Sequence, residues 1–251
     1  MKVLELFSGT RSIGKVCDQL GWESVSVDLI LPADHQVDIM DFDYKQYPKD
    51  AFDIVWASPP CTNYSNLKKC WYGKKLKDGT IYNKELNKKD QDDADKLVLK
   101  TLEIINYFNP HYWFLENPQT GNLKNREIMK DIPFYDVDYC MYSDWGYKKR
   151  TRIWTNKKEF DNKLCDNSGK CGNMVDKQHN KVLANGYEII DDKKVLYNTK
   201  EKRDKLRKHK KSIGIGKKAI EQGQVAVKGG GSNRLERYRI PEELIFSLFM
   251  D

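Results

Sequence analysis

Short apolar runs bounded by polar or turn-forming residues recur along the chain as far as residue 156. Runs of this length predict buried strands rather than helices, because a helix needs a longer pattern with a different spacing. On this basis we predict strands over residues 3–7, 23–27, 52–57, 112–115, 134–141 and 152–155.

Three stretches carry apolar residues at helical spacing. Between Ser12 and Leu20 these residues lie at positions i, i+3, i+4 and i+7, and Gly21 then ends the pattern. A longer helix is predicted over residues 92–108, and a short apolar one begins around Pro241, a residue that suits the first turn. Alternating strands and helices predict an α/β fold with a doubly wound, mostly parallel, Rossmann-like sheet.

The composition changes after Asn156. Residues 157–233 are polar and rich in lysine, with weak periodicity, which predicts a small, loop-rich region. The apolar face of the last helix needs a surface to pack on, and the first domain is the obvious one. We therefore divide the chain into a main domain, residues 1–156, a small region, residues 157–233, and a C-terminal helix, residues 234–251, that packs back on the main domain.

Composition narrows the class of protein. Hydrophobic residues make up 39% of the 251, which suffices for a core, and no apolar run is long enough for a membrane span. The N-terminus does not resemble a secretory signal, and the six cysteines lack a disulfide-rich pattern, so we expect a reducing, cytoplasmic location. The net charge of +7 is compatible with a polyanionic partner, although a lysine-rich protein without one would look similar.

Candidate ligand-binding residues follow the first predicted strands. Loops at the carboxyl ends of parallel strands form ligand sites, and the turn after the first strand lacks the glycine pattern that would specify NAD. Asp28 could bind a ribose diol and Asp38 an adenine amine, although either acid alone could be an ordinary loop residue. The predicted cofactor-binding residues are Phe7, Ser8, Gly9, Thr10, Arg11, Ser12, Asp28, Leu29, Asp38, Ile39 and Pro59.

A thiol and a carboxyl group follow two of the predicted strands. Cys61 comes after two prolines that make a rigid, extended exit from the strand, although a lone cysteine is often only a small buried apolar residue. Glu116 follows a strongly apolar run, and burial favours a protonated carboxyl group that can donate to a ring nitrogen. We predict that both residues are catalytic and that Asn117 orients the cysteine loop through backbone hydrogen bonds.

Basic residues cluster in two further places. Arg150 and Arg152 share one face of an extended chain, where they could hold a base and the phosphate backbone; a solvated basic strand is the alternative. Residues 62–90 combine basic and aromatic side chains, which suits phosphate contact and gap filling, and they are predicted to form a mobile loop. The same composition also fits a surface loop that is disordered without nucleic acid.

Together these motifs resemble those of the DNA cytosine-C5 methyltransferases. Phe7–Gly9 resembles the first cofactor motif of that family, and Ser58–Cys61 resembles its Pro-Cys nucleophile motif. Glu116–Pro118 is similar to its Glu-Asn-Val motif, and Arg150–Arg152 to its Gln-x-Arg-x-Arg motif. The resemblance covers residues 1–156 and the last helix, and the pairing of Pro-Cys with Glu-Asn is its most specific part. The short chain resembles compact phage or viral members more than large bacterial ones.

The resemblance implies the chemistry and the partners. S-adenosylmethionine is implied as methyl donor, with Phe7 near its adenine and Asp28 on its ribose. Cys61 is implied to add to C6 of a flipped cytosine before C5 is methylated, in double-stranded DNA and by a monomer. A tRNA cytosine-C5 methyltransferase and a catalytically silent DNA-binding relative stay open as alternatives. An amino-methylating enzyme fits less well, because its Pro-Pro motif ends in an aromatic residue where this chain has Cys61.

The chain also departs from the family pattern. Arg11 stands where the first motif usually continues with glycine; it could bind the carboxylate of the cofactor, or weaken the pocket. Lys148 stands where the family has glutamine. The last motif usually contains a Gly-Asn turn, and residues 231–233 match it poorly, which leaves the rear wall of the cofactor pocket undefined.

Residues 157–233 occupy the place of the region with which family members read DNA sequence. Cys165, Cys171 and His179 supply three zinc ligands in this region, but the spacing is unusual and a fourth ligand is missing, so no metal is predicted. A basic run there could contact phosphates or simply be solvated; it consists of Arg203, Lys205, Arg207, Lys208, Lys210 and Lys211.

Overall fold

The structure is a computed structural model that describes residues 1–145, 148–175, 178–179, 187–190, 193–196 and 238–250. The chain divides into two units. The first contains residues 1–137, 150–163 and 242–251, and the second contains residues 138–149 and 164–241. This division differs from the predicted one chiefly in grouping residues 138–149 with the second unit.

A seven-stranded sheet forms the centre of the first unit. Its strands are β1 (Lys2–Leu6), β2 (Glu23–Asp28), β3 (His35–Gln36), β4 (Ile54–Ala57), β5 (Tyr112–Pro118), β6 (Phe134–Asp138) and β7 (Arg150–Thr155). The strand order is β3-β2-β1-β4-β5-β7-β6. The neighbours from β3 to β5 are parallel, and β7 is antiparallel to β5. The predicted doubly wound, mostly parallel sheet is therefore confirmed.

Several predicted strand boundaries shift, and one strand was not predicted. The strand expected over residues 134–141 ends at Asp138, because residues 139–141 turn into a 3₁₀ helix. β7 begins two residues earlier than predicted, at Arg150, which places both arginines of the basic motif within the strand. The two-residue strand β3 is too short to give a hydrophobic pattern.

The described residues of the first unit include the helices α1 (Ser12–Leu20), α2 (Lys84–Phe108) and α3 (Glu242–Met250). The prediction for α1 is confirmed: Gly21 ends the helix in the left-handed region, with φ of 68°. For α2 the predicted start at residue 92 is wrong. The side chain of Asn83 caps the helix by accepting from Leu86 N at 2.8 Å, and the first turns are polar and give no apolar periodicity.

The C-terminal helix α3 packs on the first unit, as its apolar face suggests. Leu244, Ile245 and Leu248 are fully buried. The ring of Phe249 stacks on Trp22 with centroids 5.7 Å apart and also lies against Trp56 at 6.4 Å. Because Trp56 lies in β4, the helix covers the sheet itself and closes the core.

The second unit contains the antiparallel pairs β8 (Met174–Val175) with β9 (Gln178–His179), and β10 (Tyr187–Ile190) with β11 (Lys193–Leu196). In the pair of β8 and β9, Met174 lies opposite His179. Across the residues described in both units, no helix combines the length and the apolar character needed to cross a membrane.

Candidate active site

The register of the parallel strands aligns their carboxyl ends in one row. Leu6 pairs with Val27 and with Ala57, and Ala57 pairs with Leu115. The residues that follow in the chain are Phe7, Asp28, Ser58 and Glu116, and we call this row the carboxyl edge. The chain passes from β1 to β2 on one side and returns to β4 on the other, so the edge contains a topological switch point, where such sheets bind ligands.

The turn after β1 is held against the end of β2. Gly9 N donates to Asp28 Oδ2 at 2.9 Å, and Asp28 Oδ1 accepts from Ile30 N at 2.9 Å and Leu31 N at 2.8 Å. Oδ1 is thereby saturated by these two donors, and Oδ2 keeps one lone pair for a ligand. The hydroxyl of Ser8 is buried in the turn and has no hydrogen-bond partner among the described residues.

The other predicted cofactor residues take several positions around this turn. Leu29 is 59% exposed just past the end of β2, whereas Ile39 is buried in the core. Asp38 Oδ1 accepts from Met40 N at 2.9 Å and so shapes its own loop. The hydroxyls of Thr10 and Ser12 lie 3.3 Å apart at the start of α1.

The structure does not bring the Arg11 guanidinium to the carboxyl edge. Its Nη2 donates to Ser24 Oγ at 3.4 Å, and Ser24 lies near the start of β2, about 13 Å along the strand from Asp28. The guanidinium also covers Gly14, where a Cβ atom would lie 2.8 Å from Nη2. Gly14, about one helical turn after Arg11, thus leaves the space that the Arg11 guanidinium occupies.

Glu5 is a buried acid that the sequence interpretation missed. It is 2% exposed, and its two carboxylate oxygens accept from Ile13 N at 3.2 Å and Gly14 N at 3.0 Å at the start of α1. Burial raises the pKa of Glu5 to about 7, and the two hydrogen bonds, which lower the pKa, offset only part of this effect. An acidic residue within the apolar run of β1 was the signal that could have found it.

The cysteine loop and the acid motif are joined by a hydrogen bond. Asn117 Nδ2 donates to Pro59 O at 2.9 Å, and both residues are buried. Glu116, beside Asn117 in β5, is 6% exposed, and Cys61 is half-buried two residues beyond Pro59. Asn117 Oδ1 is buried and finds no hydrogen-bond partner in the described part of the chain. The thiol loop is thus tied to the strand that bears the carboxyl group.

The segment after Cys61 packs on α2. Tyr64 OH donates to Asp95 Oδ1 at 2.8 Å, and Tyr64 O accepts from Asn122 N at 2.7 Å in the loop after β5. Tyr82 OH donates to Asp90 Oδ2 at 2.7 Å. The prediction of a loop through residue 90 is wrong, because residues 84–90 belong to α2 and their polar side chains fix the preceding segment.

The two arginines of the basic motif lie on one face of β7, with Thr151 and Ile153 buried on the other. Arg152 forms a two-point ion pair with Asp136 in β6, with Nε and Nη2 at 2.7 and 2.9 Å from the two carboxylate oxygens. Its guanidinium also lies 3.5 Å from the ring centroid of Phe134. No local sequence pattern indicates this ion pair, which holds Arg152 against the edge strand.

A cluster of cysteine and histidine side chains lies within the second unit. The donor atoms of Cys140, Cys165, Cys171 and His179 all lie within 4.8 Å of one another. The expectation of a missing fourth ligand is wrong, since Cys140, in the 3₁₀ turn after β6, supplies it. Sequence spacing could not show this, because Cys140 lies far from the other three in the chain.

Two sequence predictions fall outside the described residues. One is the basic run between Arg203 and Lys211, and the other is the poorly matched last motif at residues 231–233. Both remain predictions.

Comparison with known proteins agrees with the motifs at the carboxyl edge. A "Probable DNA (cytosine-5)-methyltransferase" of Frog virus 3 (isolate Goorha) is 42% identical over 176 residues, covering 69% of this chain and 79% of that protein.

Two solved structures also match. The Entamoeba histolytica methyltransferase EhMeth matches at 15% identity and a TM-score of 0.47, covering 66% of this chain and 55% of that one. The S. pombe Dnmt2 methyltransferase matches at 12% identity and a TM-score of 0.39, covering 65% and 51%. The chain thus spans about half the length of these two solved structures.

The family comparison covers nearly the whole chain. Residues 1–240 match the sequence profile of the C-5 cytosine-specific DNA methylases, a stretch that includes the carboxyl edge and the second unit. With the viral relative, this match establishes that the chain belongs to the C-5 cytosine-specific DNA methylase family.

Proposed function

We propose that the chain transfers a methyl group from S-adenosylmethionine to C5 of cytosine in double-stranded DNA. The observation that carries the proposal is the hydrogen bond from Asn117 to Pro59 O, because it ties the Cys61 loop to the strand that bears Glu116. A thiol nucleophile and a buried carboxyl group on neighbouring strands are the two groups that an addition to the cytosine ring requires.

The residues at the carboxyl edge fit the methyl donor. The buried Ser8 hydroxyl, without a hydrogen-bond partner among the described residues, and the remaining lone pair on Asp28 Oδ2 suit a polar ligand. We propose that the turn from Phe7 to Gly9 and the acid Asp28 hold S-adenosylmethionine, with the exposed Leu29 against its adenine. When bound, S-adenosylmethionine supplies the methyl group that C5 accepts.

The protein groups act on the ring itself. The Cys61 thiol loses its proton, and the thiolate adds to C6 of the flipped cytosine, which breaks the C5–C6 double bond. Glu116 donates a proton to N3, so that the ring does not accumulate negative charge. After methylation, water or another base removes the C5 proton, the C–H electron pair forms the C5–C6 double bond again, and Cys61 leaves as the thiolate. N3 then returns its proton to Glu116. Asn117 keeps the thiol loop in place throughout.

The same chemistry bears on the oligomeric state, the partner and the compartment of the protein. We infer that the protein acts as a monomer on DNA in a reducing compartment, the cytoplasm or wherever the DNA is found. The net charge of +7 supports a polyanionic partner. All six cysteines lie in described residues and none forms a disulfide, as a reducing compartment requires.

Methyl transfer from tritiated S-adenosylmethionine to unmethylated duplex DNA tests the proposal. The Cys61→Ala variant should fall to background, whereas Glu127→Ala, which changes an exposed residue outside the predicted nucleic-acid contacts, should keep full activity. Bisulfite sequencing of the product should place the methyl group on cytosine C5 and give the target sequence.

Two other outcomes would overturn the proposal. Incorporation into tRNA but not into duplex DNA would assign the protein to RNA methylation. A folded protein that neither methylates nor binds S-adenosylmethionine would be a silent relative.

A further inference from the structure

The second unit contains a second chemically distinctive site, the cysteine–histidine cluster of Cys140, Cys165, Cys171 and His179. Two distances define it most closely: His179 Nε2 lies 3.3 Å from Cys165 Sγ and 3.4 Å from Cys171 Sγ. Cys140 and Cys165 are buried, and the other two are half-buried. The proposed methyl transfer uses none of these residues.

The distances suit four ligands around one zinc ion. Zinc bonds of about 2.3 Å to sulfur and about 2.0 Å to nitrogen, at tetrahedral angles, separate sulfur from nitrogen by about 3.5 Å and sulfur from sulfur by about 3.8 Å. The observed sulfur–nitrogen distances lie within a few tenths of an ångström of this value, and no donor pair exceeds 4.8 Å. Donor movements of up to about 1 Å would complete the coordination shell.

The donor set points to a structural rather than a catalytic ion. Three thiols and one imidazole are the ligands of many closed, four-coordinate zinc sites, and they leave no position open for water. A disulfide is a poorer account of the cluster, because three thiols cannot all be paired and none of the cysteines forms a disulfide. A cysteine–histidine nucleophile needs one thiol beside one imidazole, so this alternative leaves two of the three thiols unexplained.

Side chains around the cluster hold the main chain of the ligand residues. Lys148 Nζ donates to Cys165 O at 2.7 Å and lies 3.5 Å from Asp138 Oδ2, which accepts from Cys165 N at 2.9 Å. Zinc with three thiolates and a neutral imidazole has a net negative charge, and the Lys148 ammonium, which pairs with Asp138, keeps this carboxylate from adding to it.

The loop between two of the ligands is built to turn sharply. Gly169 and Gly172 have φ of 93° and 67°, in the left-handed region that favours glycine, and Gly172 N donates to Gly169 O at 3.0 Å. This turn brings Cys171 back toward Cys165, so the short spacing between them is compatible with a shared ion.

We propose that Cys140, Cys165, Cys171 and His179 bind one structural zinc ion. The ion ties the turn after β6 to the β8–β9 hairpin and to the loop that precedes it. Because these segments have little regular structure to hold them, metal binding supplies part of their folding free energy. The folding of the second unit would then depend on zinc, whereas the folding of the sheet in the first unit would not.

The metal content of the full-length protein tests the proposal. The protein is produced without a metal-binding tag in zinc-supplemented medium, dialysed, and analysed for zinc and iron by mass spectrometry. We expect one zinc ion per chain, falling to background in Cys140→Ser and remaining in the matched control Cys70→Ser. His179→Cys, which keeps four ligands, should retain the ion. In the cobalt-substituted protein, the sulfur-to-metal charge-transfer band should show three thiolate ligands.

Several results would overturn the proposal. They are wild-type protein without zinc, iron in place of zinc, and zinc that persists in Cys140→Ser. The wild-type measurement decides the matter even where a variant fails to fold. Methyl transfer plays no part in these measurements, so their failure would leave the proposed function untouched.

Discussion

The carboxyl edge and the cysteine–histidine cluster bring distant residues together by different means. At the edge, ladder hydrogen bonds align Leu6, Val27 and Ala57, so the residue that follows each of these three falls into the row automatically. In the cluster, the ligands come from a 3₁₀ turn, a loop and a two-residue strand, and the side chains themselves define the site. Chemistry placed by a sheet can be read from strand ends, whereas chemistry placed by side chains cannot.

The largest expected effect comes from Glu116→Gln at the carboxyl edge. Glutamine keeps the shape and can still form a hydrogen bond, but it cannot transfer a proton to the ring. We expect the turnover rate for methyl transfer to fall about 100- to 10,000-fold. The exposed Glu127→Gln in the loop after β5 is the control and should be unaffected. Full activity of Glu116→Gln would remove the acid from the mechanism.

The edge was largely predictable because each of its residues follows an apolar run. Cys61 lies in the short loop after β4, and Glu116 follows the buried apolar residues of β5; the burial of both strands shows in the sequence, and the parallel order follows from the alternation with helices. What could not be predicted were the side chains that cross between elements. Asp136 beneath Arg152 and the cap of α2 at Asn83 depend on partners that no local pattern reveals.

The substitution Glu5→Gln tests a buried carboxyl group in strand β1, within the sheet that the sequence predicts. Because burial raises the pKa of Glu5 from 4.5 to about 7, the folded state binds this proton more tightly than the unfolded state. Its contribution to stability is therefore complete below pH 4.5 and is lost as the pH rises through 7. Between low and high pH, this contribution of Glu5 to the free energy of unfolding changes by about 3 kcal/mol at most.

Urea denaturation from pH 4.5 to pH 8 measures this effect. The free energy of unfolding of the wild type should decline relative to that of Glu5→Gln as the pH rises. Glu23→Gln, which changes an exposed acid paired with Lys2 at 3.4 Å on the same sheet, should follow the wild type. Parallel curves for wild type and Glu5→Gln would show that the Glu5 carboxyl does not titrate in this range.

Asn117→Ala tests whether the cysteine loop depends on its hydrogen bond to the sheet. Removing the amide leaves Pro59 O buried without this donor, which should cost about 1–3 kcal/mol in the free energy of unfolding and lower the rate of methyl transfer. Asn156→Ala is a matched control, since Asn156 Nδ2 donates to His111 O at 3.0 Å just before β5 begins. Equal loss of activity in both variants would mean that sheet stability, not loop position, is responsible.

Asn173→Ala applies the same test to the cluster, where we expect the smallest effect. Asn173 Nδ2 lies within hydrogen-bond distance of three carbonyl oxygens, Cys140 O at 2.8 Å, Ser143 O at 2.7 Å and Cys171 O at 2.9 Å. One amide thus positions the main chain of two ligands that the sequence separates. Without it the ion must order these segments alone, and zinc affinity should fall about tenfold.

Competition with a chromogenic chelator measures that affinity. Asn162→Ala, which removes an amide bonded to Asp136 O at 2.8 Å in the first unit, should leave it unchanged. If zinc affinity is the same in Asn173→Ala as in the wild type, the metal alone organises the cluster, and the contrast with the carboxyl edge becomes sharper. If the zinc affinity of Asn173→Ala falls more than the expected tenfold, polar side chains preorganise the cluster, much as the strands preorganise the carboxyl edge. The two regions then differ less than their sequences suggest.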